Sequence, residues 1–140
     1  MNSIYFFNDI KAVVKELETL LKGKKVITFT GPLGAGKTTV IRELLRLWGI
    51  DRGVTSPTFT YMNQYVNSDG TKIFHFDLYR LGTIDDFISL GFDEYLYQDN
   101  SIILIEWPEI IKSLLIHDVF HIQLDYDSED SQKRKITVSA

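Results

Sequence analysis

The chain has 140 residues, of which 44% are hydrophobic and 24% charged, and it contains no cysteine. This composition is ordinary for a globular domain, and it excludes collagen-like and disordered chains, disulfide scaffolds, thiolate metal sites and cysteine nucleophiles. The formal charge of −4 weighs against a large surface that neutralises nucleic-acid phosphates, so we expect any contact with nucleic acid to be indirect.

The sequence gives no sign of a membrane or secretory segment. No window approaches the roughly eighteen apolar residues that a membrane span needs. The segment Met1–Asp9 also lacks a basic stretch followed by a long apolar one. We therefore expect a cytoplasmic protein with no membrane role.

The first predicted elements are a helix and a strand. Apolar residues between Asn8 and Lys22 recur at the spacing of one helical face, which predicts an amphipathic helix capped by Asn8 and ended by Gly23. The next run, Val26–Thr30, is β-branched and aromatic, which predicts a short strand. A second helix is predicted over Lys37–Trp48, closed by Gly49.

A phosphate-binding motif lies between this strand and the second helix. Gly31, Gly36, Lys37 and Thr38 satisfy the pattern GxxxxGK[ST] in the strand, loop and helix context that its mechanism requires. Glycines let backbone N–H groups curl around phosphate oxygens, and the helix N-terminus adds a positive dipole. Lys37 is expected to neutralise the β- and γ-phosphates of ATP, and the Thr38 hydroxyl to ligate Mg²⁺. The alternative, a glycine-rich turn with a chance lysine, is disfavoured by that context.

A short hydroxyl-bearing turn, Thr55–Phe59, follows the second helix. In nucleotide switches such a segment orders around the γ-phosphate and its metal, which makes Thr58 or Ser56 a candidate site residue. On these residues alone, a simple turn at the entrance of a strand is slightly favoured.

The next stretch is predicted to be an antiparallel hairpin. Phe59–Val66 and Lys72–Asp77 are strand-like and are joined by an Asp-Gly turn. Asp77, at the end of the second strand, is a candidate for orienting the attacking water or supporting the metal. His75 alternates with aromatic neighbours, so we expect it to pack in the strand rather than act as a base.

The C-terminal half supplies a second carboxylate. Thr83 is predicted to cap a short helix through Leu90, and the apolar run Ile102–Ile105 is typical of a buried central strand. Glu106 ends that run, where the carboxyl ends of parallel strands place ligands, and we prefer it as the metal ligand. Alternatively, Glu106 or Asp77 caps a following helix or pairs with Arg80.

The last predicted elements, Val119–Tyr126 and Lys135–Ser139, form a terminal hairpin. The chain shows no internal repeat, low-complexity tract or linker. Together the elements predict an α/β fold in which residues 1–140 form a single P-loop NTPase-like domain, with a central mixed sheet flanked by helices.

Four segments, in this order, together resemble the TsaE family of bacterial ATPases that act in tRNA threonylcarbamoyladenosine synthesis. They are the loop 31–39, Ser-Pro-Thr-Phe at 56–59, His-Phe-Asp-Leu-Tyr-Arg-Leu at 75–81 and Ile-Glu-Trp-Pro at 105–108. The loop is common to many ATPases, whereas Asp-Leu-Tyr-Arg followed by Glu-Trp-Pro is specific. The resemblance covers nearly the whole chain. Pro32 stands where the family often has an acid, a change that should not disturb phosphate binding.

The resemblance implies an ATPase, stimulated by partners, that supports TsaD and TsaB in forming N6-threonylcarbamoyladenosine at position 37 of tRNA. It implies Mg²⁺ ligation by Thr38 and Glu106, and a catalytic group made of Lys37, Asp77, Glu106 and Thr58. Tyr79 and Arg80 are candidates to face TsaD, and Trp107 to line the site, although burial of Trp107 against the sheet is an equal alternative. The resemblance implies that the loop from Leu33 to Thr39 contacts ATP, and the GxxxxGK[ST] motif adds Gly31. The predicted ATP contacts are therefore Gly31, Leu33, Gly34, Ala35, Gly36, Lys37, Thr38 and Thr39.

Three other functions use the same loop. A small-molecule kinase usually carries an arginine-rich lid, but the five arginines here form no cluster. A GTP switch is disfavoured because no Asn-Lys-x-Asp segment is present to read guanine. An assembly factor whose hydrolysis is incidental remains open.

Overall fold

The protein is described by a computed structural model that covers residues 1–51, 53–54, 57 and 60–140. The described residues form seven strands and three α-helices, joined in places by short 3₁₀ segments. The strands are β1 (Asn2–Phe6), β2 (Val26–Thr30), β3 (Met62–Val66), β4 (Lys72–Asp77), β5 (Ser101–Glu106), β6 (Val119–Tyr126) and β7 (Lys133–Ser139). The helices are α1 (Ile10–Leu20), α2 (Lys37–Leu47) and α3 (Ile84–Ser89), and the 3₁₀ segments are Phe7–Asp9, Phe92–Tyr95 and Pro108–Leu114.

All seven strands belong to one mixed sheet, in the order β1-β7-β6-β2-β5-β4-β3. Strand β2 lies at the centre and runs parallel to both neighbours, β5 and β6, and β4 runs parallel to β5. The predicted central mixed sheet with flanking helices is therefore confirmed. Because β2, β4 and β5 are parallel neighbours, their carboxyl ends meet at one edge of the sheet.

The core is built on both faces of the sheet. On one face α1 and α2 pack against β2 and the outer strands, and fully buried side chains such as Leu17, Ile41 and Phe29 fill the space. On the other face α3 and the later 3₁₀ segments cover an aromatic cluster that includes Phe76 and Phe87. Burying a side chain of this size contributes roughly 1.5–3 kcal/mol, so β2 is anchored from both sides.

The first helix begins later than predicted. A 3₁₀ turn occupies Phe7–Asp9, and the N-cap of α1 is Asp9 without a side-chain cap bond, so the assignment of Asn8 as N-cap is wrong. The Phe7 N–H donates to the carbonyl oxygen of Gln132 over 2.8 Å, which holds this turn against the loop between β6 and β7. That tertiary contact delays the start of the α-helix.

The remaining elements follow the prediction with shifted bounds. Thr83 caps α3 as expected, since its hydroxyl oxygen accepts from the Asp86 N–H at 3.1 Å. The predicted hairpin is antiparallel, but β3 starts only at Met62 because Tyr61 has a positive φ of 63°. Strand β7 starts at Lys133, two residues early, because that end pairs with the unpredicted strand β1.

None of the helices in the described ranges has the length and hydrophobicity that a membrane crossing needs.

Candidate active site

The loop 31–36 connects the end of β2 directly to α2 and lies tightly against its surroundings. At Gly31, with φ +138°, an added Cβ would collide with the carbonyl oxygen of Leu124 on β6. At Gly36, with φ +104°, an added Cβ would meet the Phe7 ring at 3.2 Å. Gly31 therefore requires glycine for backbone conformation and for space, whereas Gly36 is constrained mainly by its positive φ.

Lys37, the first residue of α2, points back into this loop. Its side chain is buried, and its ammonium group donates to the carbonyl oxygens of Gly31 at 2.6 Å and Pro32 at 2.9 Å. The same nitrogen lies 4.2 Å from the centre of the Trp107 ring. Burial lowers the pKa of Lys37, and the nearby Glu106 carboxylate opposes that shift. The ammonium group thus lies where it can exchange carbonyl contacts for phosphate oxygens.

Thr38 and Glu106 meet beside the loop. The Thr38 hydroxyl donates to Glu106 Oε1 at 2.9 Å, and Glu106 Oε2 lies 2.8 Å from Nε2 of His75. Glu106 lines the cleft at the end of β5 but is only 3% exposed, because Thr38 and His75 cover its two oxygens. His75 is buried within β4, as expected for a packing residue, but it also contacts the candidate metal ligand.

Asp77 ends β4 directly opposite Glu106 in the strand register. Its Oδ1 accepts from the Tyr79 N–H at 3.1 Å. Burial raises the pKa of Asp77, a shift that the Tyr79 N–H opposes and the Glu106 carboxylate reinforces. Two carboxyl groups therefore end neighbouring parallel strands, on the same side of the loop as Lys37.

A cleft of about 410 Å³ lies over the loop and the two carboxylates. It is lined by Phe7, Leu33, Gly34, Gly36, Lys37, Thr38, Thr39, Asp77, Tyr79, Arg80, Glu106 and Trp107. Of the sequence-predicted nucleotide contacts, Gly31 and Ala35 are missing from this lining. The Gly31 carbonyl faces Lys37, and Ala35 is fully buried beneath the loop. Thr58 and Ser56 lie outside the described residues, so their predicted role stays a prediction.

Sequence reasoning missed Phe7 entirely. It reaches the cleft from the 3₁₀ turn after β1, and no local motif marks it. Trp107, left undecided between a site wall and the core, is half-buried and lines the cleft. It has a positive φ of 59°, and its ring lies 4.9 Å from that of Tyr79. The sequence signal for Trp107 as a cleft residue was its position directly after Glu106, which ends β5 at the cleft.

The oxygen atoms at the cleft fit a magnesium ion that arrives with a nucleotide. Across the described residues, no group of three or more His, Cys, Asp and Glu side chains could hold a metal by itself. Mg²⁺ prefers oxygen ligands and is usually bound through one or two carboxylates together with substrate phosphates and waters. Thr38 and Glu106, with Asp77 beside them, provide such a partial set of ligands.

Comparison with known proteins identifies the family. The family model for "Threonylcarbamoyl adenosine biosynthesis protein TsaE" matches residues 6–136. The chain is 36% identical over 139 residues to the tRNA threonylcarbamoyladenosine biosynthesis protein TsaE of Rickettsia conorii, which covers 99% of this chain and 77% of the relative. It is 35% identical over 132 residues to the protein of the same description from Bacillus subtilis, with 94% and 80% covered.

A solved structure shares the fold. The crystal structure of Bacillus subtilis YdiB superimposes with a TM-score of 0.75 at 30% sequence identity. The superposition covers 100% of this chain and 84% of that one. The α/β fold with one mixed sheet is therefore shared with a solved structure.

Proposed function

Because the chain belongs to the TsaE family, whose members take part in tRNA threonylcarbamoyladenosine biosynthesis, we propose that the protein binds ATP together with Mg²⁺. We further propose that it hydrolyses this ATP in support of the tRNA modification. TsaD and TsaB are the proposed partners, and the protein would contact tRNA only indirectly, through its complex with them.

One observation carries the proposal: the buried ammonium group of Lys37 and the hydrogen-bonded pair of Thr38 and Glu106 open onto the same cleft. Helix α2 begins at Lys37, so the N–H groups of its first turn have no acceptor within the helix. A cation and a helix N-terminus side by side favour a phosphate group, and the carboxylate beside them favours a divalent ion.

The protein's side chains divide the work by their chemistry. Lys37 and the loop backbone hold the phosphates, and Thr38 and Glu106 hold the metal, which when bound neutralises charge on the phosphate oxygens. Asp77 is proposed to hold the water that attacks the γ-phosphate. Tyr79 and Trp107, whose ring centroids lie 4.9 Å apart, line the cleft beside these groups.

The test is release of phosphate from ATP by the purified chain, measured with Mg²⁺ and with EDTA, and with and without TsaD and TsaB. We expect slow Mg²⁺-dependent release that the partners accelerate. Transfer of labelled phosphate from ATP to a metabolite, rather than to water, would instead identify a small-molecule kinase. The assembly-factor alternative predicts that a non-hydrolysable ATP analogue supports repeated rounds of tRNA modification as well as ATP does.

A further inference from the structure

The buried contact between His75 and Glu106 has no part in the mechanism above. The two side chains are 1% and 3% exposed, and the nitrogen and oxygen atoms are 2.8 Å apart. A carboxylate that ligates a metal can only accept a hydrogen bond, so in that role of Glu106 the Nε2–H of His75 is the donor. This is a directed hydrogen bond inside the sheet, out of reach of bulk water.

The contact fixes the orientation of the Glu106 carboxylate. The carboxylate is planar, and His75 holds one oxygen while the Thr38 hydroxyl contacts the other at 2.9 Å. His75 comes from β4, the strand next to β5, and it lies two residues before Asp77, the register partner of Glu106. The hydrogen bond to Glu106 Oε2 is therefore made within the sheet and does not depend on the loop 31–36.

Simple packing does not account for a histidine at this place. Its Nδ1 is buried and has no hydrogen-bond partner in the part of the chain that the structure describes. A buried polar atom without a partner costs about 1–3 kcal/mol. A leucine would fill the space without that cost, so what the histidine adds is the bond from Nε2.

We propose that His75 is a positioning residue that holds the Glu106 carboxylate so that Oε1 and the Thr38 hydroxyl converge on the Mg²⁺ of a bound nucleotide. The inference rests on the proposed metal ligation by Thr38 and Glu106. Partners that orient a metal ligand in this way typically change metal affinity by about 10–100-fold when they are removed.

The role predicts a separation of metal binding from nucleotide binding. His75 lies outside the cleft lining, and its side-chain hydrogen bond goes to Glu106 rather than to the loop or to Lys37. Its removal should therefore leave ATP binding in EDTA nearly unchanged while weakening the binding of the ion. A merely structural histidine would weaken both equally, because a disturbed sheet would displace the loop as well.

The test compares the full chain with His75→Leu, His75→Gln and, as a control, His121→Leu. His121 is a histidine of the same sheet that bonds to Thr28 and does not line the nucleotide cleft. ATP affinity is measured by calorimetry in EDTA, and Mn²⁺ affinity of the ATP complex by electron paramagnetic resonance. We expect His75→Leu to lose about 10–100-fold in Mn²⁺ affinity and about twofold or less in ATP affinity. His75→Gln, whose amide N–H can replace Nε2, should recover most of the loss, and His121→Leu should bind ATP and Mn²⁺ as the unmodified chain does.

Wild-type Mn²⁺ affinity in His75→Leu, or an equal loss of ATP binding in EDTA, would overturn the positioning role. If His75→Leu does not fold, His75→Gln and His75→Asn decide, since the asparagine amide lies nearer the place of Nδ1. If His75→Gln keeps the Mn²⁺ affinity and His75→Asn loses it, the positioning role is supported. Equal Mn²⁺ affinities of the two variants contradict it. Failure of the unmodified chain to bind ATP with Mn²⁺ would contradict the proposed function itself, which is a separate result.

Discussion

The hydroxyl of Thr38 donates to Glu106 Oε1 at 2.9 Å, which joins two residues that are 68 positions apart in the chain. The bond links the first turn of α2 to the end of β5 and brings together the two proposed metal ligands. Both residues line the cleft over the loop.

Glu106→Gln should lose Mg²⁺-dependent ATP hydrolysis by at least about 100-fold, because the ion is expected to stabilise the transition state by several kcal/mol. The fold should survive, since glutamine keeps the shape and can bond to both Thr38 and His75. Glu106→Ala is a poorer test, because it leaves the buried Nε2 of His75 unpaired, at a cost of about 1–3 kcal/mol. Phosphate release and a melting curve check both expectations; undiminished release would remove Glu106 from the metal site.

Lys37→Ala should weaken ATP binding by roughly 10- to 100-fold, because hydrogen bonds from a charged group contribute about 1.5–3 kcal/mol. Lys11→Ala, which removes an exposed lysine of α1, is the matched control for the change in net charge. Calorimetric titration with ATP in EDTA isolates the contribution of the lysine from that of the metal. Equal affinity in the two variants would argue against phosphate binding by this loop.

Gly36→Ala and Gly49→Ala should both destabilise the fold, but only Gly36→Ala should lower the affinity for ATP. Both glycines have positive φ, +104° and +87°, which costs an alanine about 1–2 kcal/mol. An added Cβ at Gly36 also presses on the Phe7 ring, whereas at Gly49 nothing lies within 4 Å. Chemical denaturation and ATP titration of the two variants separate backbone strain from damage to the cleft. If both variants lose ATP affinity, backbone strain explains the loss and no specific role of the Gly36 position in the cleft is supported.

Asp77→Asn should stabilise the metal-free fold at neutral pH while it reduces hydrolysis. Burial raises the folded-state pKa of Asp77 above its ordinary value of 3.8, so ionisation costs more in the folded than in the unfolded chain. The stability that the protonated acid provides is complete below 3.8 and is lost as the pH rises through the folded pKa. Asparagine does not ionise and can still accept from the Tyr79 N–H.

Melting temperatures in EDTA should therefore be higher for Asp77→Asn than for the unmodified chain at pH 7, and the difference should shrink toward about pH 3, where aspartic acid is protonated in both states. A lower melting temperature at pH 7 would mean that the ionised carboxylate stabilises the fold.

The elements that the sequence predicted well are those with a strong local pattern. The apolar run of β5 marked a strand, and Thr83 marked the start of α3. Strand β1 was missed because its five residues are stabilised by pairing with β7, at the opposite end of the chain. The 3₁₀ segment Pro108–Leu114 was missed because its backbone departs from helical geometry at Ile111, and a kinked segment leaves no regular period.

The sequence by itself determined the strand, loop and helix arrangement of the GxxxxGK[ST] motif, because Gly31, Lys37 and Thr38 lie within one short stretch of chain. The same reasoning found Glu106 and Asp77 as strand-end acids but not their surroundings. Only the tertiary structure decided that β4 and β5 are neighbours, which places His75 against Glu106. The physical reason is that strand order is set by long-range pairing and packing, so contacts between residues far apart in the chain leave no local pattern to read.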